Sequence, residues 1–151
     1  MEQNQRLRVF LDTSALIAGI VSSKGAAREV LRLAESGLIE IIVSKQVIVE
    51  SDRNIEAKLP EMLNDLRSFI RYIAPVMVDD PPSKEVGEYA SLINPNDAPI
   101  LSAAVSSGAD YLITWDRKHF INSDVKLRVD VKVVTPGEFL RYFRRYIEGI
   151  K

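Results

Sequence analysis

The chain has 151 residues, no cysteine, one histidine and a net charge of −1. That length suits one domain spanning residues 1–151, and the missing cysteines exclude disulfides, thiolate zinc sites and thiol nucleophiles. A lone His119 excludes a histidine cage, so any metal is left to oxygen ligands, which favour hard cations such as Mg2+ or Mn2+.

The opening MEQNQRLRV lacks the apolar middle of a signal peptide, and no later apolar run is long enough to cross a bilayer; both imply a cytoplasmic protein with no membrane partner. Residues 8–12 form a first strand that ends on Asp12. Residues 13–20 and 25–36 read as helices, the second with Ala26, Val30, Leu31 and Ala34 in a stripe. Residues 39–43 (IEIIV) are a β-branched second strand. Ser44 caps the next helix, whose inner face carries Val47, Ile48, Ser51 and Ile55. Pro60 opens a helix over 60–73, its apolar residues facing either the core or a twin subunit. Residues 75–78 (PVMV) are a short third strand closed by DDPP. Residues 83–92 and 97–107 are helical, 109–114 (ADYLIT) a fourth strand and 131–134 (VKVV) a fifth. Pro136 begins a last amphipathic helix.

Strands alternating with helices imply an α/β sandwich: a parallel sheet covered on both faces by right-handed crossovers. All strand C-termini and helix N-termini then share one edge, the edge where such sheets bind ligands. Asp12, Glu50, Asp97 and Asp116 each fall at or near it. With the first and fourth strands as neighbours, Asp12 and Asp116 would stand ~5 Å apart in backbone terms. Two carboxylates at that distance repel by ~3 kcal/mol at an effective dielectric near 20. A divalent cation among them relieves the repulsion, so these four acids are the candidate metal ligands and catalytic groups. Taken singly, Asp12 reads as a helix cap and Asp97 as part of a capping box begun by Asn94; their joint placement favours the metal. Asp79 and Asp80 also end a strand, but an edge one, and read as a solvated turn. Thr13, Ser14 and Thr114 border the pocket and are expected to orient the carboxylates or their waters.

Several stretches resemble the PIN-domain nucleases: LDTSALIAG, SSKGAAREVL, the helix with Glu50, NPNDAPILSAAVSSGADYLITWD and TPGEFLRYF. Ser14 stands where many relatives have Asn, and Asn94 and Asn96 flank Asp97 where relatives are often more acidic. The resemblance implies a five-stranded parallel sheet of order 3-2-1-4-5 in a three-layer sandwich. It implies an Mg2+- or Mn2+-dependent endoribonuclease using one or two ions, held by Asp12, Glu50, Asp97 and Asp116. It also implies a likeness to VapC-type toxins, with an antitoxin as protein partner and a homodimer or higher oligomer as the assembly.

An RNA substrate needs positive charge beside the acids. Arg117 and Lys118 follow Asp116, and Lys24, Arg28 and Lys45 are the other expected rim residues. Three other readings compete. A degenerate member of the fold would bind RNA or protein without cutting, and an RNA-processing nuclease would act outside any toxin–antitoxin pair. An aspartyl-phosphate protein would want a second Asp at Ser14 or a lysine after the last strand, where Thr135 and Pro136 stand. No glycine-rich turn follows the first strand, which excludes a dinucleotide site.

Overall fold

The computed structural model describes residues 6–116, 120 and 130–150. At its centre is β1 (Leu7–Leu11), whose Val9, Phe10 and Leu11 are buried. A continuous apolar run of this kind is what a parallel strand covered on both faces requires. β1 pairs with β2 (Ile39–Ser44) on one side and β4 (Tyr111–Ile113) on the other. The edges are β3 (Val76–Val78) and β5 (Lys132–Val134), giving a fully parallel sheet of order β3-β2-β1-β4-β5. The order expected from the resemblance is the order found.

Two helices, α1 (Thr13–Val21) and α2 (Ala26–Glu35), join β1 to β2. They approach closely at Gly19: a Cβ placed there would lie 2.9 Å from Leu31 Cδ1. α3 (Lys45–Lys58) follows β2, its first turn accepted by the Ser44 hydroxyl. A 3-10 turn (Pro60–Met62), α4 (Leu63–Ser68) and a π turn (Phe69–Ile73) lead to β3. After α5 (Ser83–Gly87) and α6 (Ala98–Ser106), the chain returns to the sheet at β4. The final helix, α7 (Pro136–Ile150), packs against α2. Among the described residues, no helix is long and apolar enough to cross a membrane.

Three expected elements differ. The helix over 60–73 is broken into 3-10, α and π pieces, because a wide π turn absorbs a residue that a 3.6-residue period does not foresee. Its apolar face points to the core: Leu66 and Phe69 are buried and Ile70 and Ile73 pack against them. The helix over 83–92 stops at Gly87, a residue that costs about 1 kcal/mol inside a helix. The strand over 109–114 is regular only across Tyr111–Ile113, although Asp110 and Thr114 still donate backbone hydrogen bonds to the Arg8 and Val134 carbonyls.

At the sheet edge opposite the acids, Arg8 joins three elements. Its backbone N–H donates to Asp110 Oδ2 at 2.8 Å. Its guanidinium donates to Glu40 Oε1 at 3.0 Å and to the Ser107 carbonyl at 2.8 Å. The turn that brings Ser107 there depends on Gly108, whose φ of +75° suits glycine.

Candidate active site

Asp12 is the first residue past β1, 3% exposed, and it caps α1. Its Oδ1 accepts the Ala15 N–H and the Ser14 hydroxyl, both at 2.8 Å, and its Oδ2 accepts the Thr114 hydroxyl. The capping reading is therefore correct as far as it goes, and it leaves the carboxylate fixed. Burial pushes the Asp12 carboxyl up from 3.8 to about 6, against the three hydrogen bonds that lower it; the nearby Asp116 charge pushes the same way as burial.

The two hydroxyls do more than hold Asp12. Ser14 Oγ accepts the Trp115 N–H at 3.1 Å, and Thr114 Oγ1 accepts the Asp116 N–H at 2.8 Å. The end of β1 and the loop after β4 are thus tied through the same two side chains, which sets where Asp116 begins. Trp115 itself is half exposed rather than packed in the core. Glu50, on α3, is held from two sides: the Thr13 hydroxyl donates to Oε1 at 2.7 Å and the Gln46 amide to Oε2 at 2.9 Å. Asp97 is the N-cap of α6, with its carbonyl accepting the Ile100 and Leu101 N–H groups, but its side chain makes no capping hydrogen bond to that helix. The expected capping box does not form, since Asn94 Oδ1 takes the Asn96 N–H instead.

Asp12, Glu50, Asp97 and Asp116 all line one cavity of about 350 Å³, together with Thr13 and Ser14. Buried Ile55, Ile100 and Phe120 contribute apolar lining. Among the described residues, no three acidic or histidine side chains stand close enough to enclose an ion. Thr13 and Gln46 hold Glu50, and Asp12 is fixed by its own three donors. The donor chemistry still suits Mg2+, which commonly takes one or two carboxylates and completes its shell with water and substrate phosphate. A buried carboxylate raised to about 6 beside a second carboxylate gains most from such a cation.

The expected basic rim is largely displaced. Arg28 donates to the Gly19 and Ile20 carbonyls at the C-terminus of α1, and lines a different cavity of about 220 Å³ with Ile20 and Leu31. Unsatisfied carbonyls at a helix end attract a cation in this way. Lys24 lies in the same α1–α2 connection, past the end of α1 that is remote from Asp12. Lys45 is at the acidic edge but one strand outward, where its ammonium pairs with Asp79 at 2.9 Å. Asp80 accepts the Gln46 N–H, so the DDPP turn is anchored to α3 rather than merely solvated. Arg117, Lys118 and His119 lie outside the described residues.

Sequence reasoning missed Gln46, Asn54 and Lys58. The first holds Glu50, and the other two line the cavity. The signal was present: residues 46, 50, 54 and 58 recur every four positions, which puts them on one face of α3.

An α/β sandwich with acids gathered at the C-terminal ends of its strands, where strand order reverses, belongs to the class that binds ligand at a topological switch point. Within that class the chain belongs to the PIN domain family, which it matches over residues 8–118, a span holding all four acids. VapBC2 from Rickettsia felis, solved with a DNA fragment from its promoter, shares the fold: TM-score 0.62, 18% identity, 84% of this chain and 97% of that one. DNA-bound VapBC from Salmonella typhimurium gives a TM-score of 0.59 at 21% identity, over 86% and 98% of the two chains. VapC20 from Mycobacterium tuberculosis, described as a sarcin–ricin loop cleaving toxin, gives 0.55 at 13% identity, over 82% and 98%. No curated protein matches the chain in sequence.

Proposed function

We propose that the chain is a divalent-metal-dependent endoribonuclease. The observation that carries this reading is the arrival of four carboxylates from separate parts of the chain in one cavity at the sheet reversal. Asp12, Asp97 and Asp116 serve as Mg2+ or Mn2+ ligands, directly or through water. A bound divalent ion there relieves charge on a phosphate and acidifies a water. Glu50, steadied by Thr13 and Gln46, is the group that would orient an attacking water and accept its proton. Ser14 and Thr114 keep Asp12 and the Asp116 loop in register.

The test incubates purified protein with ribosomal RNA in Mn2+ and follows fragment formation on a gel. Wild type cuts, while Asp12→Asn and Asp97→Asn do not. Binding of RNA without cutting by any form, across Mg2+ and Mn2+, would instead favour the non-catalytic module.

The VapBC neighbours and the VapC20 toxin support a role as the toxin of a toxin–antitoxin pair over housekeeping RNA processing. The partners of that reading are an RNA substrate, an antitoxin and a second copy of the chain in a homodimer. Co-purification with the product of an adjacent small gene, and growth arrest on expression without it, test the toxin role.

A further inference from the structure

The four-residue periodicity on α3 continues beyond Glu50. Asn54 and Lys58 stand one and two turns farther along, and both line the acidic cavity. A rise of 1.5 Å per residue puts Lys58 about 12 Å along the helix axis from Glu50. The lining near them on α3 and its C-cap, Ile55 and Leu59, offers an anion nothing.

Several other cations of the described residues are already committed. Arg6 and Arg8 pair with Glu40, Arg32 with Glu29 and Lys45 with Asp79, and Arg28 is bound to helix-end carbonyls. Lys58 is exposed and forms no ion pair among the described residues, although four carboxylates share its cavity. Its flexible four-carbon stem lets the ammonium move to a ligand. Asn54 likewise has no hydrogen-bond partner among the described residues, and its amide can both donate and accept.

A polyanion whose reacting phosphate lies among carboxylates needs positive charge where it leaves them. From this placement we infer that Asn54 and Lys58 form a binding subsite for the nucleotide flanking the cleaved bond. Lys58 takes the neighbouring phosphate, and Asn54 hydrogen-bonds the sugar or base between. This inference rests on the nuclease reading and extends it by fixing the direction in which the RNA leaves the acids: along α3 toward its C-terminus.

The experiment measures fluorescence anisotropy of a fluorescein-labelled, mixed-sequence 12-nucleotide RNA in Ca2+, from 50 to 200 mM KCl. Removing one phosphate contact lowers the salt slope on single strands by about 0.7. Lys58→Ala therefore shows a Kd raised about fivefold to tenfold with that smaller slope, and Lys58→Arg restores both. Asn54→Ala raises Kd and leaves the slope unchanged. Thermal melts of each variant check that α3 is intact. The subsite is overturned if wild type binds and cuts RNA while Lys58→Ala matches it in Kd and slope. If wild type neither binds nor cuts RNA in Mn2+, the nuclease reading fails, and this inference with it.

Discussion

A carboxylate buried at the end of β1 takes up a proton more readily than one in water, and this has a sign that thermal melts can read. The Asp12 carboxyl is at about 6 in the fold against an ordinary 3.8. The native state therefore binds more protons than the unfolded chain between those values. Its contribution to stability is full below pH 3.8 and is lost as pH rises through about 6. The difference corresponds to about 3 kcal/mol. In metal-free wild type, the share of stability due to Asp12 should fall between pH 5 and 7.5. Asp12→Asn keeps the cap and has no proton to lose, so it should show a smaller fall and a higher Tm at pH 7.5. Melts of both proteins at pH 5, 6 and 7.5 check this. Asp12 was legible, because a carboxylate directly after an apolar strand can hardly be placed elsewhere. The place of Arg28 was not: its guanidinium reaches from α2 to the open carbonyls at the end of α1, and that depends on packing between elements.

Strands and most helices could be read from their periods, and the misreadings fall where local pattern stops deciding. Residues 60–73 have helical spacing throughout, yet the structure changes hydrogen-bond ladder twice, and the apolar positions alone carry no mark of it. α3 shows the opposite case. Attention to its inner face, Val47, Ile48, Ser51 and Ile55, passed over the polar residues in line with Glu50, of which Asn54 and Lys58 line the site. At the contact of α1 with α2, Gly19 is tight against Leu31 and the Ala27 carbonyl. Gly19→Ala would improve helix propensity by about 1 kcal/mol in isolation. Here overpacking outweighs that gain, and a net loss of about 1–2 kcal/mol is expected from urea denaturation. Because Asp12 caps α1, the same variant should also lower Mn2+ affinity.

At the scale of the molecule, alternation of elements dictated a parallel sheet, while the order of its strands came from family likeness, since periodicity says nothing about which strand lies beside which. If the acidic edge holds the proposed divalent cation, it does so only in the folded chain, so Mn2+ should raise Tm. At a hundredfold excess over Kd the gain is about 2.7 kcal/mol, or about 5–10 °C for a chain this size. Asp12→Asn should show little of that rise, and the rise in wild type should shrink below pH 6 as protons compete. Differential scanning fluorimetry with and without EDTA checks both. The Arg8 junction lies at the far margin of the sheet, where it ties β1, Glu40 of β2 and the turn before β4 together. The central strands thus have a second anchor, away from the chemistry. Randomising the reactive margin should yield many well-folded, inert proteins, whereas randomising around Arg8 should yield few that fold at all; such a scaffold can be retooled without relearning its shape.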